Sequence, residues 1–141
     1  MYYIKLIMKN NFFKLVEYLY YFSLVFLLIL YLFPGSLIGY LLYGDLKQQP
    51  NLINNPIGTS INHLIFFLYL SFLGLIARFK NKKFINSFQF LFLISILLEI
   101  LHYIIPNRAF ESYDLFANSM GVVLAYLLIK YVGINDESLN G

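Results

Sequence analysis

The chain has 141 residues, 60% of them hydrophobic and 12% charged, and it contains no cysteine. A soluble domain of this size is about 45–50% apolar and about 25% charged, so the composition places the chain in the membrane class and leaves room for one domain, residues 1–141. The missing thiols exclude disulfides and thiolate metal sites. The net charge of +3 comes from basic residues that flank apolar runs, which is a topology signal and not a nucleic-acid footprint.

In chain order, four apolar runs are long enough for a bilayer, which takes about 20 helical residues. The first is about residues 12–33, interrupted near its start by Lys14 and Glu17 and broken by Pro34-Gly35. It is longer than the apolar core of a signal peptide and lacks a small-residue cleavage site, so a retained helix is expected. The stretch from Ser36 to Tyr43 is apolar but too short to span. It is expected to lie in the outer interface or re-enter the membrane against protein. Residues 51–59, with Pro56 and Gly58, read as irregular chain. The second run is about 61–79, the third about 84–105, closed by Pro106, and the fourth about 115–132, closed by Gly133. Strands are not expected, because the runs are about twice the length of a barrel strand and lack period-two alternation. The fold class is therefore all-α, an integral membrane four-helix bundle, with a polar tail over 135–141.

Eight of the ten basic residues lie on one side of this arrangement: Lys5, Lys9, Lys14, Arg78, Lys80, Lys82, Lys83 and Lys130. Only Lys47 and Arg108 fall in the other two connections. The positive-inside rule then predicts a multi-pass protein with both termini cytoplasmic. The Arg78–Lys83 group reads as an orientation signal that also meets anionic lipid. Tyr18, Tyr20, Tyr40, Tyr43 and Tyr103, near helix ends, read as an interfacial aromatic belt.

The sharpest polar signal runs from Glu99 to Gly121. Glu99 and His102 are three apart and share a helix face. An ionisable residue inside an apolar run is expensive and needs a partner or a wet cavity. Asp114, Asn118, Gly121 and Ala125 form one stripe on the last helix, polar at its start and small further in, suited to close packing on the face that carries Glu99. Arg108, in the connection, offers a fork for a carboxylate or a phosphate. His63 opens the second run on the same side. Paired histidines and carboxylates can hold zinc, but no H-x-x-x-H or H-E-x-x-H spacing is present, so no metal and no cofactor is expected. Glu99 and His102 suit general acid–base work, whereas nothing pairs Ser112 or Ser119 with a base.

This segment resembles the VanZ-like family. That family's pattern is an acid on one helix, a Pro/Gly-Arg turn, and Asp, Asn and Gly along the next helix, met here by Glu99, Arg108, Asp114, Asn118 and Gly121. His102 stands where the family has Gln. His63 and Phe67 match an earlier His and aromatic position, while Thr59-Ser60 replaces an Asp-Lys pair. The resemblance implies a small bacterial inner-membrane protein of the cell envelope, linked in relatives to glycopeptide resistance. On this reading Glu99, Arg108, Asp114, Asn118, His63 and His102 line an outward-facing pocket for an envelope lipid or glycan precursor, and Gly121 and Ala125 pack helices. The alternative is a non-catalytic scaffold with a membrane-protein partner.

Overall fold

The computed structural model describes residues 2–50 and 58–132, with side chains described from residue 10 onward. Most of the irregular 51–59 segment, the polar tail and the side chains of Lys5 and Lys9 lie outside the described residues. The described residues are helical, with no strand: α1 (Tyr2–Leu32), α2 (Leu37–Tyr43), α3 (Ser60–Arg78), α4 (Phe88–Leu101) and α5 (Ser112–Tyr131), with one 3-10 turn at Phe84–Asn86.

Three of these helices are long and apolar enough to cross a membrane: α1 from Asn10, α3 and α5. The third expected run is broken up. Asn86 and Ser87 are both buried, and the Ser87 side chain accepts from the Phe90 amide, so α4 starts at Phe88 and not at Phe84. At its other end Tyr103, Ile104 and Arg108 donate into successive tight turns through residues 101–108. The helix that remains has 14 residues, about 21 Å of rise against a hydrocarbon core of about 30 Å.

Helix α1 buries Val16, Tyr20, Leu24, Leu27 and Tyr31, a stripe at helical spacing. Its remaining surface is also apolar, with Leu15, Phe22, Val25, Phe26 and Ile29 exposed. A helix that is apolar all round suits lipid on its outer side. Tyr20 departs from the expected aromatic belt. It is fully buried, packs over Gly74, and donates its hydroxyl to the Ile85 carbonyl, tying α1 to the 3-10 turn.

Helix α5 packs most extensively on α3; α4 packs against α5 and α1 against α3. Gly121 is the reason for the close approach. A Cβ there would sit 2.6 Å from the Leu64 carbonyl oxygen and 2.8 Å from the Leu68 nitrogen. The stripe is thus shared: Gly121 meets α3, because only glycine lets the α3 backbone so near, while Asn118 reaches Ser95 and Glu99 on α4 as expected. Ala125 is fully buried in the same core.

The connection after α1 is an ordered α2 that presents Tyr40, Leu41, Leu42 and Tyr43 outward. Ser36 caps its N-terminus by accepting from the Gly39 amide, and Gly44, with φ 71°, closes its C-terminus. Gly39 is pressed against the Gln48 carbonyl, where no side chain fits.

At the opposite end, the basic connection is tied to the bundle. Arg78 is buried and donates to the Lys83 carbonyl at 3.0 Å. Lys83 pairs with Glu17 at 2.9 Å, which holds its ammonium above the usual lysine range.

Candidate functional site

The structure brings His63, Glu99, His102, Asp114 and Asn118 together at the end of the bundle away from the basic connection. The reason lies in chain direction: α1 and α4 end there, and α3 and α5 begin there. All five residues are buried, Glu99 and Asn118 completely.

Tyr31, on the last turn of α1, joins them. Its hydroxyl lies 2.6 Å from His63 Nδ1 and donates to Asn118 Oδ1 at 2.7 Å. Asn118 Nδ2 reaches the Ser95 carbonyl and Glu99 Oε2, each at 3.4 Å. The other oxygen of Glu99 accepts from the Glu111 amide at 3.1 Å and lies 3.2 Å from His102 Nδ1. On the far side of the imidazole, His63 Nε2 is 3.3 Å from Asp114 Oδ2, and Ser60 donates to Asp114 Oδ1. Five helical residues from α1, α3, α4 and α5 therefore share one hydrogen-bonded chain, Tyr31–Asn118–Glu99 on one branch and His63–Asp114 on the other.

Arg108 does not join it as an ion pair. No lysine or arginine nitrogen among the described residues lies within 4.0 Å of Glu99 or Asp114. The guanidinium instead donates to the Leu30 carbonyl at 2.6 Å and the Phe33 carbonyl at 3.5 Å, capping the exposed C-terminus of α1. Burial holds its pKa below the usual arginine value. Glu111 keeps its side chain exposed, and desolvation with the nearby Asp114 and Glu99 carboxylates raises its pKa.

A cleft of about 70 Å³ opens beside this cluster. Tyr31, Asn62, His63 and Arg108 line its polar side, and Leu27, Leu30, Leu37, Ile38 and Phe66 its apolar side. Glu99, Asp114, Asn118 and His102 lie behind this wall and do not line the cleft.

Two members were not legible as site residues in the sequence. Tyr31 is one of thirteen tyrosines, and its only mark is that it falls on the buried α1 stripe four residues after Leu27. Ser60 stood out as a departure from the Asp-Lys pattern, and the structure gives it a use in fixing the Asp114 carboxylate.

All-helical architecture, apolar helices of membrane-crossing length and a buried polar cluster at one end define a helical membrane protein. The chain belongs to the VanZ/LLP1 family, whose model matches residues 3–133, nearly the whole length. No curated protein and no solved structure matches it.

Proposed function

We propose that the protein is a single-domain, multi-pass protein of the bacterial inner membrane, and that its polar end faces outward and binds the anionic headgroup of an envelope lipid or lipid-linked glycan precursor. The observation that carries this reading is the make-up of the cleft: one wall of leucine, isoleucine and phenylalanine suits an acyl chain, and the other sets the Arg108 guanidinium among Asn62, His63 and Tyr31, so that Arg108 is the group that meets a phosphate. The α4 run, lengthened by the turns on both sides, serves as the fourth element of the bundle. The 8 to 2 division of basic residues supports cytoplasmic termini.

In this reading Arg108 has two tasks. It caps α1, and its remaining N–H groups meet the headgroup. Glu99, Asp114 and Asn118 set the position of His63 from behind, as a pocket needs rigid support. The scaffold alternative loses its main motive, because Gly121 of the small stripe is spent on α3 within the chain.

Native mass spectrometry of the purified protein tests the proposal. Wild-type protein retains an anionic lipid, and Arg108→Gln loses about 10- to 100-fold in affinity, the worth of a charge-assisted hydrogen bond. Arg108→Lys recovers part of it. Equal retention by all three would sink the headgroup reading.

A further inference from the structure

The hydrogen-bond chain around His63 fixes a proton on its Nδ1. The Asn118 amide nitrogen faces the Ser95 carbonyl and the Glu99 carboxylate, both acceptors, so Oδ1 is the end that faces Tyr31. That oxygen takes the Tyr31 proton. Tyr31 has one proton to give, so its oxygen accepts from His63, and His63 carries its hydrogen on Nδ1. The lone pair of Nε2 then points at Asp114 Oδ2, 3.3 Å away, with Asp114 Oδ1 already taken by Ser60. Two electron-rich atoms facing each other in a buried site need a positive centre.

A proton is one choice, but it leaves one carboxylate without a cation in contact. Glu99 and Asp114 are both buried, and among the described residues no lysine or arginine nitrogen lies within 4.0 Å of either. His102 Nδ1 lies 3.2 Å from Glu99 Oε1, and its buried Nε2 has no partner among the described residues. An imidazolium at His63 would meet one carboxylate directly, with Arg108 acting on both from further away; a divalent ion would meet both in contact.

The spacing suits an ion. Two bonds of about 2.0–2.2 Å at a tetrahedral angle put their donor atoms about 3.4 Å apart, the His63–Asp114 separation. One donor atom each from His63, Glu99 and Asp114 lie within 4.8 Å of one another; Glu99 Oε2 is 4.0 Å from His63 Nδ1, so its carboxylate shifts toward Nε2 to share the ion. The outer contacts are those metal ligands normally carry: Tyr31 on the far imidazole nitrogen, Ser60 on Asp114, Asn118 and the Glu111 amide on Glu99. His63 also borders the cleft, which gives an entry path.

We propose that His63, Glu99 and Asp114 bind one divalent transition-metal ion, zinc or manganese, between α3, α4 and α5. One imidazole and two carboxylates suit either ion. The site stands on its own geometry and does not depend on the lipid reading.

The test uses the full chain purified in mild detergent without chelator, then stripped with EDTA and titrated with Zn²⁺ or Mn²⁺. Wild-type protein holds about one ion per chain, and readdition raises the melting midpoint by about 5 °C or more. Asp114→Asn and Glu99→Gln keep side-chain shape and weaken binding about 100-fold or more, while Tyr31→Phe weakens it about 10-fold. Nitrogen NMR of the histidines reports His63 Nε2 without a proton. The proposal is overturned if wild-type protein gains no stability from either ion and His63 is protonated on both nitrogens. It is equally overturned if a helical Asp114→Asn binds as tightly as wild type. Should that variant fail to fold, the wild-type titration and spectrum still decide.

Discussion

At the residue scale, the site rests on side chains whose neighbours fix their protons and rotamers. Tyr31→Phe removes the hydroxyl between His63 and Asn118, which lie 3.2 Å apart and can re-pair. The expected loss is about 1 kcal/mol of stability, read from the unfolding midpoint in detergent. Gly121→Val should cost more, about 1–3 kcal/mol, because a branched side chain would meet α3 backbone and not a flexible tip. Glu111 gives a pH signature. Its folded pKa lies above that of a free glutamate, so the stability it contributes is full below the free value and is lost as pH rises through the folded pKa. Glu111→Gln should therefore stabilise the protein at neutral pH relative to wild type and lose that advantage in acid; melting curves across pH check it. Much of the cluster was legible here, since Glu99, His102, Asp114 and Asn118 follow helical spacing. Tyr31 was not, because a tyrosine on an apolar stripe looks the same whether its hydroxyl meets lipid headgroups or a buried histidine. The geometry of the proposed metal site was hidden for a related reason: its three donors come from three helices, and no sequence spacing records that.

At the element scale, the apolar runs marked the helices but not their ends. The third run continues through Phe84 to Ile105 in hydropathy, yet Ser87 and Asn86 cap it into a shorter helix and a 3-10 turn. Side-chain hydrogen bonds to the backbone compete with helix there, and hydropathy does not register them. Arg108 shows the same effect at the end of α1. Its sequence position suggested a carboxylate or a phosphate partner, whereas the α1 carbonyls left free by Pro34-Gly35 claim it first. Arg108→Gln should thus destabilise the protein by about 1–2 kcal/mol, seen as earlier thermal unfolding, apart from any effect on ligand. Gly39→Leu should disorder α2 outright, since the Gln48 carbonyl occupies the space of its side chain. Proteolysis within 36–50 would report it.

At the scale of the whole molecule, one bundle carries two unlike ends. One end holds Arg78, Lys80 and Lys83 in ion-pair and carbonyl contacts; the other holds the carboxylates, histidines and Tyr31. Composition and run lengths made the membrane class plain, and chain direction alone then brings the ends of α1 and α4 to the starts of α3 and α5. In the proposed orientation, a single cysteine at position 109 reacts with an impermeant reagent on intact cells, and one at position 81 does not. Reversed labelling would turn the molecule over and place its polar end in the cytoplasm.

The central claim is that an anionic lipid enters beside His63 and Arg108. A photoactivatable anionic phospholipid in vesicles, followed by peptide mapping, tests it most directly. Cross-links are expected at Leu37, Ile38 and Phe66, and lost in Arg108→Gln. Cross-links confined to the Lys80–Lys83 end, or unchanged by Arg108→Gln, would contradict it.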